Sequence, residues 1–216
     1  MNKLLLLFAL SFVYFLPSQA QQTHVLFETS YGDFEVELYD DTPKHRDMFL
    51  QAIDDKTYHK ALFNRVIAGF VNQGGELDEP ILKEEADGLR ERRRLAPEIL
   101  PQYFHHKGAL GAGRDDNPEK ASYLSQIYFV IGRTYSNEEL DKEEKTKGFT
   151  YSAEQRNAYI KDGGVPRLDG DYTIFGRVVR GLEVIERINQ VETDKSDMPK
   201  QAVRFSIRVL SKSQNR

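Results

Sequence analysis

Residues 63–75 read Phe-Asn-Arg-Val-Ile-Ala-Gly-Phe-Val-Asn-Gln-Gly-Gly, and this stretch indicates how the chain folds. Two short runs rich in β-branched and aromatic residues lie on either side of Ala68 and Gly69, a pair typical of a tight turn. The pattern predicts a β-hairpin with Arg65 on one strand beside Gln73 on the other. An Arg in such a run is often only an outward-facing strand residue, so the hairpin alone assigns it no function.

The stretch closely resembles the core signature of the cyclophilin-type peptidyl-prolyl cis-trans isomerases, which reads Phe-His-Arg-Val-Ile-Pro-Gly-Phe-Met-x-Gln-Gly-Gly. Ten of the thirteen positions fit, counting the open position. The departures are Asn64 for His, Ala68 for Pro and Val71 for Met, and none of them changes the Arg, the second Phe or the Gln.

Two further blocks resemble the family in the same order along the chain. Residues 125–130 resemble its Ser-Gln-Phe-Phe-Ile strand, and residues 168–178 resemble its Leu-Asp-Gly…Phe-Gly block, with Arg167 in place of a common Trp and Tyr172 in place of a common His. Several separated matches in order are far more specific than one short pattern. The resemblance, which covers about residues 23–211, implies a mainly β fold: a closed eight-stranded antiparallel barrel capped by two α-helices.

The residues outside these blocks predict other elements of that fold. Residues 24–28 and 34–38 read as two strands around a turn, the second alternating apolar and acidic side chains. Thr42-Pro43 predicts the start of a helix, with Thr as N-cap and Pro in the first helical position. Residues 181–188 predict a second core-facing helix, and the alternation over residues 203–209 predicts a closing strand.

Two helical insertions are expected relative to the family, at about residues 79–95 and 133–166. The first contains the run Arg-Glu-Arg-Arg-Arg at residues 90–94. We interpret this run as a solvated helix face neutralised by neighbouring acids rather than as a patch for a polyanion. In the second insertion, Ser136 opens one helix and a capping-box pattern at Ser152 opens another, and glycines end both.

Composition excludes several classes of site. A chain of 216 residues with 39% hydrophobic and 30% charged residues is typical of one globular domain, and a net charge of −4 argues against nucleic-acid binding. With no cysteine, the chain has no disulfide, thiolate metal site or cysteine nucleophile. The adjacent His105 and His106 point to opposite sides of an extended segment, and Gly111-x-Gly113 lacks the context of a phosphate loop. We therefore expect no metal and no cofactor.

The N-terminus has the pattern of a cleaved signal peptide. Lys3 precedes a thirteen-residue apolar run over residues 4–16, and small residues at Ser18 and Ala20 predict cleavage after Ala20. The run is short for a membrane span. We therefore expect a signal peptide at residues 1–20, an isomerase domain at residues 21–216, and an exported, periplasmic monomer without a membrane anchor after cleavage.

The resemblance also implies a set of site residues. Arg65 corresponds to the catalytic residue, and Gln73 orients it or the peptide backbone. The residues implied to bind the substrate are Phe70, Val71, Gly113, Arg114, Gln126, Tyr128, Leu168 and Tyr172. The apolar members of this set could instead be ordinary core residues, although aromatics around a few polar groups are typical of a binding pocket.

The implied activity is peptidyl-prolyl cis-trans isomerisation on proline-containing peptides and unfolded exported proteins. Two alternatives remain open from the sequence. The groove could serve as a binding module or holdase with little turnover, or the 133–166 insertion could dock a partner and make the protein an assembly factor. The sequence specifies neither the natural clients nor the residue preferred before proline.

Overall fold

Eight antiparallel strands close into a barrel in the computed structural model, which describes residues 22–210. The predicted signal peptide lies outside the described residues. Around the barrel the order is β1-β2-β7-β5-β6-β4-β3-β8, and β8 pairs again with β1. The strands are β1 Thr23–Thr29, β2 Gly32–Leu38, β3 Ala61–Ile67, β4 Val71–Gly74, β5 Ala109–Ala112, β6 Ile127–Val130, β7 Ile174–Arg180 and β8 Arg204–Val209. The predicted fold class is confirmed.

Interlocking aromatic rings fill the barrel. Phe27, Phe34, Phe129 and Phe205 are each at most 1% exposed. The rings of Phe27 and Phe34 stack with centroids 4.7 Å apart, and Phe129 meets both edge-on at 5.1 Å. Because rings packed in these geometries gain more than their buried area alone provides, this cluster gives the strands a rigid interior.

Within residues 22–210, five α-helices surround the barrel: α1 Pro43–Asp54, α2 Asp78–Ala86, α3 Asn137–Lys147, α4 Ala153–Lys161 and α5 Leu182–Ile188. Helices α1 and α5 bury residues in the same core as the strands. Pro43 occupies the start of α1, but the hydroxyl of Thr42 donates to the carbonyl of Tyr39 and makes no capping bond to the helix. No helix within residues 22–210 is both long and apolar enough to cross a membrane.

The stretch at residues 79–95 is helical only in its first part. Helix α2 ends at Ala86, and Gly88, with φ of +70°, turns the chain away from the helical path. The following residues 89–94 form no helix, and Leu95 exchanges two backbone hydrogen bonds of 2.8 Å with Ser122. The interpretation of residues 90–94 as a helix face is therefore wrong.

Two arginines of that run are nevertheless paired with acids of the same chain. Arg90 bonds Glu76 at 2.8 Å. Arg94, whose side chain is only 6% exposed, bonds Glu85 at 2.6 Å and Asp115 at 2.7 Å. These bonds tie the segment to α2 and to the residues that follow β4 and β5.

Residues 133–166, hereafter the 133–166 segment, contain the two expected helices, α3 and α4. Ser136 and Ser152 each form a reciprocal capping box, and Gly148 ends α3 in the left-handed conformation with φ of +75°. The segment has a small core of its own in which Leu140, Tyr151 and Tyr159 are buried. Tyr159 is fully buried, and its hydroxyl reaches back to the barrel, as described below.

Candidate active site

The hairpin of β3 and β4 brings Arg65 and Gln73 together as cross-strand partners. Nη1 of Arg65 donates to Oε1 of Gln73 at 3.3 Å. The strand pairing shifts register between Phe63 and Arg65, which is the mark of a β-bulge, and bulges often redirect side chains next to active sites. The turn residue Gly69 has φ of +67°, a conformation that glycine adopts without a steric penalty.

Asn189, which directly follows α5, holds this hairpin in place by side-chain hydrogen bonds. Its side chain is fully buried, and Oδ1 accepts a hydrogen bond from the backbone of Gly69 at 2.8 Å. Its Nδ2 donates to the carbonyl of Ile67 at 3.0 Å and to Oδ1 of Asn72 at 2.7 Å. Nothing in the local sequence signals this role of Asn189, because 120 positions separate it from the turn.

All ten site residues implied by the resemblance line one hollow of about 130 Å³ beside the hairpin. A cavity of about 150 Å³ in another protein accommodates a benzene ring, so this hollow has the size for one small ring. The lining residues are Arg65, Phe70, Val71, Gln73, Gly113, Arg114, Gln126, Tyr128, Leu168 and Tyr172.

One side of the hollow is an apolar slot. Val71, Tyr128 and Leu168 are between 3% and 7% exposed, and they pack in a cluster separate from the barrel interior. Phe70 is half-buried at the rim, where the guanidinium of Arg167 lies 4.3 Å from its ring centroid. The slot therefore offers apolar surface on several sides and a cation at its edge.

The opposite side of the hollow is polar. Gly113 leaves room there for the side chain of Gln126, but its own backbone groups are already hydrogen-bonded. Its N–H donates to the carbonyl of Gln126, and its carbonyl accepts from Tyr123. A Cβ at Gly113 would lie 1.8 Å from Oε1 of Gln126, so a larger residue here would displace the side chain of Gln126. Among residues 22–210, the backbone N–H and carbonyl of Arg114 have no hydrogen-bond partner, and they are available to a peptide.

Side-chain contacts hold Arg114 as a wall of the hollow. Its Nε donates to the carbonyl of Asp171 at 2.8 Å, and its guanidinium lies 4.7 Å from the ring centroid of Tyr172. The ring of Tyr172 in turn meets Tyr128 at 89° with centroids 6.0 Å apart. Both the charge and the aromatic rings are therefore fixed before any peptide binds.

Asp197 is a neighbour of Arg65 that the sequence analysis missed. One carboxylate oxygen lies 3.5 Å from Nε of Arg65, and both side chains are partly exposed. Asp197 has φ of +60°, and its backbone carbonyl accepts a hydrogen bond from Val66 at 2.8 Å. The guanidinium is therefore flanked by an amide on one nitrogen and a carboxylate near another.

A buried polar chain lies behind the slot. The hydroxyl of Tyr128 lies 2.8 Å from Nε2 of His105, and Nδ1 of His105 lies 2.6 Å from Oδ1 of Asp169. Burial raises the pKa of Tyr128 well above its ordinary value, so its hydroxyl keeps its proton. From the sequence, His105 was weighed only as a metal ligand, and its contact with Asp169 was not predicted.

The two adjacent histidines have separate partners. Nδ1 of His106 lies 2.8 Å from the carbonyl of Lys107, whereas His105 faces Asp169 and Tyr128. No group of three or more His, Asp or Glu side chains that could hold a metal occurs in the described part of the chain.

Gly111 allows Tyr128 to approach β5 closely. A Cβ at this position would lie 2.2 Å from Cζ of Tyr128 and 2.4 Å from its hydroxyl oxygen. The glycine that the sequence analysis judged weak as a nucleotide signal therefore has a steric role beneath the slot.

Comparisons with known proteins agree with this geometry. The family model for cyclophilin type peptidyl-prolyl cis-trans isomerases matches residues 24–209. The chain is 30% identical over 182 residues to peptidyl-prolyl cis-trans isomerase A of Dickeya dadantii, covering 80% of this chain and 74% of that protein. It is 27% identical over 190 residues to a peptidyl-prolyl cis-trans isomerase of Acinetobacter baylyi, covering 88% and 84%.

Solved structures share the fold. A cyclophilin type peptidyl-prolyl cis-trans isomerase of Cryptosporidium parvum superposes with a TM-score of 0.62 at 24% identity, covering 88% of this chain and 99% of that one. The same isomerase solved in the presence of the dipeptide Ala-Pro gives a TM-score of 0.60. A barrel with a cation beside an apolar slot, matched over nearly its whole described length by one family model, identifies this chain as a member of the cyclophilin-type peptidyl-prolyl cis-trans isomerases.

Proposed function

We propose that this isomerase accelerates rotation about X–Pro bonds in exported proteins as they fold, and that Arg65 stabilises the twisted amide. The observation that supports this proposal is the position of Arg65 and Gln73 beside a hollow of about 130 Å³ whose other side is apolar. The proline ring enters the slot, and the amide bond before it lies next to the guanidinium.

The chemistry follows from the electronic structure of the amide. In the planar amide the nitrogen lone pair is delocalised, which creates a rotation barrier of about 18–20 kcal/mol. When the bond is twisted, the lone pair returns to the prolyl nitrogen, which then accepts a hydrogen bond better than it does in the planar state. A donor fixed at that nitrogen therefore binds the transition state more tightly than the ground state.

Arg65 has donors free for this role. A guanidinium carries five N–H groups, and among residues 22–210 only Gln73 accepts a hydrogen bond from Arg65. Because Gln73 is only 9% exposed and belongs to β4, it restrains the guanidinium without occupying its other donors. Preorganised donors of this kind contribute about 3–4 kcal/mol each.

The slot contributes the remaining stabilisation. A turnover of about 10³ per second requires a barrier lower by roughly 7 kcal/mol than the uncatalysed one. The apolar walls of Val71, Tyr128 and Leu168 hold the ring in place and exclude water, so the electrostatic interaction acts in a medium of lower dielectric constant.

The test measures exchange between the cis and trans forms of an Ala-Pro peptide by NMR, a probe suggested by the dipeptide in the related structure. Arg65→Ala is expected to lower the rate by about 10²- to 10³-fold while the peptide still binds. Arg208→Ala is a matched control, since Arg208 is also a partly exposed strand Arg with a carboxylate 3.5 Å from Nε. Peptide binding without measurable exchange in the unaltered chain would instead indicate a binding module.

The export part of the proposal depends on residues 1–20, which lie outside the described residues. If the full chain is produced in a bacterium with a periplasm, we expect a periplasmic form that begins at Gln21. Recovery of a cytoplasmic form that still begins at Met1 would contradict it.

A further inference from the structure

We infer that His105 and Asp169 are positioning residues for the proline slot, and that Tyr159 of the 133–166 segment supports them through the same carboxylate. The inference rests on the proposed function of the slot. It adds a second layer of residues behind the slot and gives α4 a part in shaping the site.

The direction of each hydrogen bond can be assigned from the partners. Oδ1 of Asp169 accepts the backbone N–H of His105 at 2.8 Å, so this oxygen is an acceptor. Nδ1 of His105, 2.6 Å from the same oxygen, must therefore carry the proton. With Nδ1 as the donor to Asp169, we assign Nε2 as the acceptor of a hydrogen bond from the hydroxyl of Tyr128, which lies 2.8 Å away.

The other oxygen of Asp169 receives a donor from the 133–166 segment. The hydroxyl of Tyr159 donates to Oδ2 of Asp169 at 2.5 Å. Burial and the neighbouring Asp169 raise the pKa of Tyr159 well above its ordinary value, so this hydroxyl also remains protonated. The continuous chain runs from α4 through Asp169 and His105 to the slot.

Every member of the chain is deeply buried. His105 is 1% exposed, Asp169 and Tyr128 are each 5% exposed, and Tyr159 is fully buried. An unsatisfied polar group at such a depth is costly, so each bond holds its partners in one arrangement.

The hydrogen bond to His105 adds a directional restraint on Tyr128 to the contacts of its ring. Gly111 lies against the hydroxyl end of the ring, and the ring of Tyr172 meets it at 89°. Movement along its long axis, toward or away from the proline slot, is limited by the bond from its hydroxyl to His105. The ring planes of His105 and Tyr128 are 5° from parallel, with centroids 6.0 Å apart.

Two matched substitutions remove the hydrogen bond between Tyr128 and His105, one at each partner. Tyr128→Phe removes the donor. His105→Asn removes the acceptor but keeps a side-chain amide close to the position of Nδ1, where it can still donate to Asp169. Tyr159→Phe removes the support from α4 without replacing a residue that lines the slot, and Tyr135→Phe is its control, since Tyr135 packs on Tyr159 in the same cluster.

Three measurements on the full chain separate a positioning role from a merely structural one. They are the Kd of an Ala-Pro peptide, kcat/KM from NMR exchange, and the ¹⁵N shifts of the His105 ring, with urea unfolding in parallel. We expect Nδ1 to be protonated, and we expect Tyr128→Phe and His105→Asn each to lower kcat/KM by about 2- to 10-fold. The double variant should be no worse than the poorer single variant, because both remove the same bond.

We expect Tyr159→Phe to lower kcat/KM as Tyr128→Phe and His105→Asn do. Tyr135→Phe should leave kcat/KM unchanged. A proton on Nε2 instead of Nδ1, multiplicative losses in the double variant, or unaltered peptide affinity and turnover in folded Tyr128→Phe and His105→Asn would each overturn the inference. If the unaltered chain shows no exchange at all, the proposed function fails. The ring shifts and the peptide affinities still decide the positioning role in that case.

Discussion

Replacing Gly111 by Ala tests whether the position of Tyr128 controls the slot. The new Cβ would lie 2.2 Å from Cζ, 2.4 Å from the hydroxyl oxygen and 2.6 Å from Cε2 of Tyr128. The ring has to recede by roughly 1 Å to regain an ordinary contact distance. Because misplacement of about 1 Å can cost about 10²-fold in rate, we expect kcat/KM to fall by about 10- to 100-fold.

The same substitution also overpacks the barrel, which typically costs about 1–3 kcal/mol of unfolding free energy. Gly176→Ala provides the control, because its Cβ would lie 2.7 Å from the carbonyl oxygen of Glu37 and 3.3 Å from Leu38, away from Tyr128. The assay compares both variants by NMR exchange on an Ala-Pro peptide and by urea unfolding. If Gly111→Ala loses as much stability as Gly176→Ala but retains full activity, the reasoning about the slot is refuted.

Three further predictions concern the cation, the hairpin support and the response to pH. Arg65→Lys keeps the charge but loses the planar fork, so we expect kcat to fall by about 10²-fold with little change in peptide Kd; an unchanged kcat would contradict this. Asn189→Ala leaves Gly69 and other buried groups unpaired, and urea unfolding should show a loss of about 3 kcal/mol. Burial lowers the pKa of His45, although the hydrogen bond with Glu98 acts in the opposite direction. His45 therefore takes up a proton more readily in the unfolded chain than in the folded chain. Unfolding free energy should therefore fall as pH drops below about 6.5, and His45→Gln should reduce that slope; an equal slope in both proteins would exclude His45 as the cause.

Elements whose causes are local were predictable from the sequence. The turn at Ala68 and Gly69 needs only a glycine that adopts φ of +67°. The capping boxes at Ser136 and Ser152 depend on residues three positions apart, and both form as expected. In each case the partners lie within one turn of chain, so the sequence pattern contains the whole interaction.

The end of α2 was not predictable in this way. Residues 87–95 are rich in charges that suit a helix as well as an extended segment, and the outcome depends on distant partners. Leu95 pairs with Ser122, and Arg94 reaches Asp115, and neither partner is near in sequence. Tertiary pairing therefore overrode a weak local preference.

The candidate site likewise combines residues that the sequence predicts with residues that it does not. The slot residues follow from the resemblance, because each lies in a block that can be recognised by itself. The polar layer behind them does not, since His105 is 23 residues from Tyr128 and 64 from Asp169. Nothing in the neighbourhood of any one of these residues signals the other two, and only closure of the barrel brings them into contact.

The departures from the family signature fall where the structure can absorb them. Ala68 is exposed in the turn, where the loss of a Pro removes no packing. Asn64 uses its amide to donate to the carbonyl of Gly75, which ties the two strands together beside the bulge. Val71 still provides a buried apolar wall, 3% exposed. A wall can be rebuilt from several side chains, whereas a cation fixed beside the amide depends on one backbone position, and that position holds Arg65.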